Sequence, residues 1–205
     1  MAGLSNILKF LFFSLALSFV SVASVKGDLV EMLLIGNAGQ GLLPGNVNPP
    51  TDSTGSGGIG PEGIIFDTAT NLLHINIFWG SENGFSDLSG EVTALHLHGP
   101  VDLPPGGWSQ ESNNLIINLG NSLNFDDSPS SGGLTDIYFF SNEEAGWLLD
   151  GRTYINVHTH QYELGEIRGY LIRADAVPEP AGASIVMCAI IAFFRIRRRP
   201  CGSEY

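Results

Sequence analysis

Apolar and polar side chains alternate in short stretches between residues 28 and 174, and this pattern predicts β-strands. In residues 72–79 the alternation places four apolar side chains on one face of a strand: Leu73, Ile75, Ile77 and Trp79. Further short runs rich in β-forming residues are residues 91–98, 115–119, 137–140, 153–160 and 166–173. The pattern therefore predicts an all-β domain, built as an antiparallel β-sandwich.

Glycine, proline, asparagine and serine cluster between these runs, as they do in turns and loops. The longest such stretch, residues 36–63, is expected to be one long connection rather than a separate linker. Helical periodicity is confined to residues 142–149, where a turn or two of helix fits.

The N-terminus departs from the strand pattern because it carries a continuous apolar stretch. Lys9 precedes the apolar residues 10–22, and Ser21 and Ala23 place small side chains at the positions that a signal peptidase reads. We therefore expect a secretory signal peptide over residues 1–23, cleaved after Ala23. An uncleaved membrane anchor is the alternative.

A second apolar run, residues 181–194, lies near the C-terminus. As a helix its 14 residues would span roughly 21 Å, which is shorter than the hydrocarbon core of about 30 Å. The arginines that follow it favour the cytoplasmic side of a membrane, so everything between the two apolar runs is expected to be exported. We expect this C-terminal helix to hold the chain at the membrane, at least transiently.

The order of elements in residues 175–205 resembles the PEP-CTERM sorting signal of bacterial envelope proteins. That signal combines a short proline-containing motif, an apolar helix and an arginine cluster, represented here by Val177, Pro178, Glu179, Pro180, Arg195, Arg197, Arg198 and Arg199. The resemblance implies that a membrane protease, an exosortase, recognises and cuts the segment. The alternative is an ordinary single-pass anchor.

The charge of the central segment narrows the choice of partners. The chain has a formal net charge of −12, and residues 28–174 contain no lysine and three arginines. Such a surface repels nucleic acid and anionic lipid, so no nucleic-acid partner is expected. Both cysteines, Cys188 and Cys201, lie in the tail, so the exported domain is predicted to fold without a disulfide.

Four of the five histidines form two His-x-His pairs, His96 with His98 and His158 with His160. Residues two apart on a strand share a face, so each pair projects two imidazoles in one direction. Paired imidazoles on neighbouring strands can bind zinc or copper, and no other cofactor is indicated. The alternative is that they only hydrogen-bond neighbouring groups or water, as we expect for the isolated His74.

Three sequence blocks in the domain resemble the CHRD domain, a module named for the repeats of chordin. They are Ala-Leu-His-Leu-His-Gly-Pro at residues 94–100, Gly-Arg-Thr-Tyr-Ile-Asn-Val-His-Thr at residues 151–159, and Leu-Gly-Glu-Ile-Arg-Gly-Tyr-Leu at residues 164–171. The resemblance covers about residues 31–173. It implies a β-sandwich in a secreted protein, with no established enzymatic activity.

The last two strands are predicted to form a hairpin across a loop of about five residues. Ile155, Val157, Ile167, Gly169 and Leu171 would face the core. On the other face the predicted register sets His160 opposite Glu166, His158 opposite Arg168 and Asn156 opposite Tyr170. Glu166 could then reach either His160 across the pair or Arg168 along its own strand. The ion pair would act as a structural clamp over this face, with an energetic effect of about 0–1 kcal/mol if it is exposed.

No catalytic constellation emerges from the sequence, since a Gly-x-Ser-x-Gly elbow is absent and the acidic residues are too numerous to nominate a pair. The first hypothesis is an exported, non-catalytic envelope or extracellular-matrix module, with polysaccharide or envelope proteins as partners. The second is a histidine-based metal-binding protein, with redox activity as one form of it. The third is a carbohydrate-binding module that uses the tryptophans Trp79, Trp108 and Trp147 as stacking platforms.

Overall fold

The computed structural model describes residues 27–102, 108 and 110–177. This part of the chain contains eleven strands: β1 (Leu29–Gly36), β2 (Gly39–Gln40), β3 (Gly57–Ile59), β4 (Ile64–Asp67), β5 (Leu72–Trp79), β6 (Val92–His98), β7 (Leu115–Asn118), β8 (Phe125–Asp126), β9 (Gly133–Phe139), β10 (Thr153–Thr159) and β11 (Ile167–Arg173). One helix, α1 (Asn142–Leu149), lies between β9 and β10. The prediction of a mostly β domain is confirmed.

The strands form one antiparallel sheet in the order β7-β6-β10-β11-β1-β4-β5-β9-β8, with β2 added beside β1 and β3 beside β5. This continuous sheet differs from the two packed sheets of the predicted sandwich. Because β1 pairs with β11 on one side and with β4 on the other, it joins what would otherwise be two separate sheets. The alternation of apolar and polar residues cannot predict this connection, because it shows which side chains share a face of a strand and does not show which strands pair with it.

The sheet curls so that its two ends approach each other. A short turn after β7 bridges them, because the Leu119 carbonyl accepts a hydrogen bond from the Tyr138 hydroxyl at 3.3 Å and the Ser122 hydroxyl donates to the Asp136 carboxylate at 2.6 Å. The resulting half-barrel encloses the apolar core.

The core collects the inward side chains of nearly every strand. Leu73, Ile75, Ile77 and Trp79 of β5 are all fully buried there, as the alternation predicted. α1 closes the core with Leu148 and Ala145. The helix begins at a capping box in which the Ser141 hydroxyl and the Glu144 carboxylate each satisfy the other's backbone N–H.

Several strands escaped prediction for a physical reason. In β1, apolar residues run almost continuously and Leu34 and Met32 are buried while alternate residues are partly covered, so period-two alternation is weak. The loop predicted over residues 36–63 contains the short strands β2 and β3, which are held by pairing with longer neighbours. The helix at residues 142–149 was predicted with its correct bounds.

The hairpin of β10 and β11 has the predicted faces and a different register. Arg168 lies opposite Asn156, and Tyr170 lies opposite Tyr154, so the predicted pairing was wrong by two residues. The turn is longer than expected because β10 ends at Thr159, and Gly165 adopts φ +122° before β11 begins. A two-residue shift preserves the faces, and Ile155, Val157, Ile167 and Leu171 are buried in the core as predicted.

The segments assigned to targeting lie outside the described residues. These are the signal peptide with its cleavage site at Ala23, the sorting residues from Pro178 onward and the arginine cluster; Val177 is the last described residue. Within the ranges that are described, no helix has the length and apolar character needed to cross a membrane.

Candidate metal centre

Neighbouring strands β6 and β10 bring three histidines to one face of the sheet. Leu95 and Leu97 of β6 point into the core, so His96 and His98 lie on the opposite face. In β10, His158 pairs with Ala94 and Asn156 pairs with His96, which makes His158 a diagonal neighbour of His96. The pairing of strands distant in sequence thus assembles a cluster from the two His-x-His motifs.

One nitrogen from each of His96, His98 and His158 lies within 4.8 Å of the other two. The ring centroids of His96 and His158 are 4.8 Å apart, and those of His96 and His98 are 5.4 Å apart. A tetrahedral zinc ion with Zn–N bonds of about 2.0–2.1 Å places its nitrogen ligands roughly 3.3 Å apart. The three nitrogens would therefore have to approach one another by up to about 1.5 Å to share one zinc ion.

His160 does not belong to this cluster, so the predicted four-histidine set is corrected to three. β10 ends at Thr159, and its pairing with β6 shifts between His158 and Thr159. His160 therefore lies exposed in the hairpin turn, where strand alternation no longer determines its direction.

Hydrogen bonds fix the tautomer of His158. Its Nδ1 lies 2.8 Å from the Glu163 carbonyl oxygen, which can only accept, so Nδ1 carries the proton. Its Nε2 is therefore unprotonated, and its lone pair accepts a hydrogen bond from the amide nitrogen of Asn156 at 3.0 Å. A backbone carbonyl that holds one ring nitrogen while the other is left to bind is a common arrangement around metal-binding histidines.

Asn156 is itself fixed from three sides. Its side-chain oxygen accepts from Arg168 Nε at 3.1 Å, and its amide nitrogen donates to the Leu164 carbonyl at 3.0 Å as well as facing His158. Gly165 makes room for it, since a β-carbon at that position would lie 2.4 Å from the Asn156 oxygen. The amide orientation is therefore set by its partners.

Burial keeps the imidazoles neutral. It lowers the pKa of His98 to about 4, with a further contribution from the neighbouring His96 and His158. Burial also lowers the pKa values of His96 and His158. Neutral imidazole is the form that coordinates metal, so this environment favours binding down to mildly acidic pH.

His98 supplies an independent sign of an unmet partner. Its Nδ1 is buried and has no hydrogen-bond partner among the described residues. The ring stacks on Tyr154 at 5.2 Å between centroids, with an interplanar angle of 15°. A buried ring nitrogen without a partner is costly in an apo protein, and a metal ion at this face would offset that cost.

Arg168 lies on the same face of the sheet as the histidines, in the neighbouring strand β11 opposite Asn156. Its ion-pair partner is Glu111, so the predicted pair with Glu166 was wrong. The guanidinium lies 4.4 Å over the Tyr154 ring and donates to Glu111 at 2.9 Å. Arg168 is 1 % exposed, because the chain at residues 110–112 covers this side of the sheet. The outward face of the hairpin is therefore a second buried layer.

Glu166 makes contacts other than the predicted ion pair. It is 0 % exposed, and each of its carboxyl oxygens accepts two hydrogen bonds. One oxygen receives the Ser53 hydroxyl and the Ser89 N–H, and the other receives the hydroxyls of Ser89 and Thr159. Glu166 thus ties two loops to the end of β10.

Burial removes Trp79 from the predicted set of stacking platforms. Trp79 is fully buried and donates to the Ser128 carbonyl, while Trp108 packs against Tyr170 and Trp147 is partly buried in α1. His74 lies outside the cluster, with its Nε2 3.4 Å from the Glu62 carboxylate.

Sequence reasoning missed Asn156 and the Glu163 carbonyl as supports for the histidines. The position of Asn156 could have been predicted, because it lies two residues before His158 on the same strand and residues two apart share a face. The role of the Glu163 backbone carried none, since a carbonyl group is the same in every residue.

A family model for the CHRD domain matches residues 41–171, which is more than half of the chain and includes all three clustered histidines. The chain belongs to the CHRD family. This match confirms the resemblance drawn from the three sequence blocks. No curated protein and no solved structure matches this CHRD chain.

Proposed function

We propose that this CHRD domain binds a divalent transition metal ion, zinc or copper, through His96, His98 and His158. The observation that carries the proposal is the convergence of three imidazole nitrogens within 4.8 Å. The fixed tautomer of His158 and the unpartnered Nδ1 of His98 support it. Three neutral nitrogen ligands suit both metals.

The proposed role is binding within a non-catalytic module. Three protein ligands leave one position of a tetrahedral ion free, which by itself also occurs in enzymes. The Asn156 amide faces His158 and the Tyr154 ring stacks on His98, and we assign neither of them an acid–base role. The function therefore stays a binding function in this proposal.

Equilibrium dialysis of the full-length protein against zinc, followed by elemental analysis, tests the proposal. We expect about one zinc ion per chain, with binding weakened at least about tenfold in His98→Ala and His158→Ala. His160→Ala is the matched control, because it removes an imidazole from the same hairpin without touching the cluster. Equal loss in all three variants, or metal well below one per chain in the wild type, would refute the site.

We also propose that the domain is exported and then sorted. The folded unit begins with β1 at Leu29 and its last strand ends at Arg173, so it fits between a signal peptide over residues 1–23 and a sorting segment over residues 175–205. In this proposal an exosortase-type protease recognises residues 177–180, and the C-terminal helix anchors the chain in the membrane until processing.

Export places the acidic domain in the cell envelope or outside the cell. Its partners there would be extracellular polysaccharide or envelope proteins, while the net charge of −12 disfavours nucleic acid. Mass spectrometry of the envelope fraction tests the processing. We expect mature N-termini beginning at Ser24 and no peptide that spans Ala23 and Ser24; abundant spanning peptides would contradict cleavage.

A further inference from the structure

We propose that the metal-loaded centre captures a carboxylate group from outside the protein as its fourth ligand. This inference rests on the proposed metal binding, and it names the class of ligand that the centre would hold. Three features of the described structure carry it: the ligand count, the charge around the centre and the position of Asn156.

The ligand count leaves a position open to an external group. Among the described residues, the cluster contains the three histidines and no aspartate, glutamate or cysteine at ligand distance. All three imidazoles are only partly buried, so the centre lies within reach of solvent. Zinc and copper take a fourth ligand readily, and water or an exogenous anion is the available choice.

The charge around the centre favours an anion over water. Three neutral imidazoles leave the two positive charges of the metal uncompensated. Arg168, which lies nearby, adds its positive charge to the field at His98 and His158, and its ion pair with Glu111 at 2.9 Å offsets this charge only in part. On a strongly acidic protein, the loaded centre would be a locally cationic site that attracts a small anion and holds it at short range.

Asn156 offers a hydrogen bond to the second oxygen of a carboxylate. One N–H of its amide donates to Leu164, and the other points at His158 Nε2. When a metal takes the lone pair of that nitrogen, this second N–H loses its acceptor. A carboxylate that binds the metal through one oxygen can accept this N–H with the other, which water cannot do.

The same features disfavour phosphate. A phosphate group brings more charge and more acceptor oxygens, and proteins commonly meet these with arginine or with several N–H donors. The three arginines of residues 28–174 are each paired with a carboxylate, in Arg152–Asp102, Arg168–Glu111 and Arg173–Asp175. One metal ion and one amide N–H match a carboxylate better.

Cobalt(II) substitution provides a direct probe, because the visible absorption of Co²⁺ changes with its ligands. The full-length protein is loaded with Co²⁺ and titrated with glucuronate, acetate and, as the neutral match, glucose. We expect glucuronate and acetate to shift the spectrum with saturation, and glucose to leave it unchanged. Alginate and the neutral polymer dextran, used in the same way, distinguish a polymer-borne carboxylate from a free one.

The outcomes separate this inference from the proposed function. If Co²⁺ produces no bound spectrum, the metal-binding proposal fails. If Co²⁺ binds and neither carboxylate shifts its spectrum, metal binding stands and carboxylate capture is overturned. Inorganic phosphate acting at lower concentration than glucuronate would also overturn it.

A variant tests the role of Asn156. Asn156→Ser is expected to bind Co²⁺ more weakly, to remain loaded at saturating Co²⁺, and in that loaded form to bind glucuronate severalfold more weakly. Glu163→Ala is the control because only the backbone of Glu163 touches the site. Unchanged glucuronate affinity in a folded Asn156→Ser protein would contradict the proposed hydrogen bond. The ligand series on the wild type decides the main claim if that variant does not fold.

Discussion

Replacing Glu166 with alanine should destabilise the domain far more than a surface ion pair would. The carboxyl group is fully buried and accepts four hydrogen bonds from Ser53, Ser89 and Thr159. The Thr159 hydroxyl is itself buried and would keep only the Ser89 hydroxyl, 3.1 Å away, as a partner, so the loss of its bond to the carboxylate costs about 1–3 kcal/mol. Ser53 and Ser89 can turn to water, and the loss of their bonds adds roughly 1 kcal/mol in total.

The expected loss in the free energy of unfolding is therefore about 3 kcal/mol for Glu166→Ala. Glu166→Gln should cost about 1–2 kcal/mol, since the amide keeps one acceptor oxygen and the serine and threonine hydroxyls can accept from its nitrogen. Urea denaturation followed by the fluorescence of the buried Trp79 measures both. Glu163→Ala, an exposed change in the same hairpin, should stay within about 0.5 kcal/mol of wild type.

A loss below about 1 kcal/mol for Glu166→Ala, with the control unchanged, would refute this reasoning. It would mean that the two loops joined by Glu166 are held by other contacts. The exposed ion pair expected from sequence predicted that small value, so the experiment separates the two accounts directly.

Three further predictions concern the histidine centre. Metal-free protein should lose stability as the pH falls from about 6.5 towards 4. The fold lowers the pKa of His98 to about 4, so in this pH range His98 is protonated in the unfolded chain before it is protonated in the folded one. Because the ring is partly exposed, the loss in the free energy of unfolding is limited to about 1–2 kcal/mol. Urea titrations across this range should show a smaller pH dependence in His98→Gln, and an unchanged one would contradict the assignment. Gly165→Ala should weaken zinc binding about tenfold, because the new β-carbon displaces Asn156 and loosens His158. Dialysis measures this affinity, with Gly84→Ala as the control, since Gly84 also has a positive φ but open space around it. Equal zinc affinity in the two variants would contradict the role of Asn156. Zinc at about a hundred times its dissociation constant should stabilise the wild type by about 2.7 kcal/mol. In thermal melting, the same zinc concentration should leave the melting temperature of His158→Ala unchanged. Equal shifts of the melting temperature in both proteins would exclude His158 as a ligand.

The bounds and faces of a strand could be predicted from sequence wherever apolar and polar residues alternate strongly. Strand β5 was predicted with its bounds and faces because one side packs in the core and the other side carries polar groups. β1 was missed because apolar residues occupy both of its faces. The long-range pairing of β1 with both β11 and β4, which turns two sheets into one, depends on contacts between distant segments that no local pattern records.

The clustering of the histidines could be predicted from the sequence, and the extent of the cluster less so. Strand periodicity placed both His-x-His pairs on the polar face, and the three histidines of β6 and β10 do converge. His160 was included because the strand was expected to run one residue further than it does. The turn after Thr159 decides this, and turn length depends on Gly165 and on hydrogen bonds that alternation cannot report.

The outward face of the hairpin shows the same limit. Polar residues at alternate positions suggested a solvent-exposed surface, yet Asn156, Arg168 and Tyr170 are almost fully buried. Their cover comes from a segment more than 40 residues earlier in the chain, whose Gln110 carbonyl and Glu111 carboxylate accept hydrogen bonds from Tyr170 and Arg168. The polar residues of β10 and β11 therefore identified the face that points away from the core, but they wrongly predicted that this face is exposed to solvent.

X-ray absorption at the zinc edge of the loaded full-length protein tests the central claim most directly. The account predicts about three imidazole nitrogens at roughly 2.0–2.1 Å and one exchangeable oxygen ligand. His98→Ala should lose one imidazole from this shell or fail to bind zinc, and His160→Ala should reproduce the wild-type spectrum. A first shell made of oxygen atoms alone, or a spectrum that changes in His160→Ala and persists in His98→Ala, would contradict the three-histidine centre.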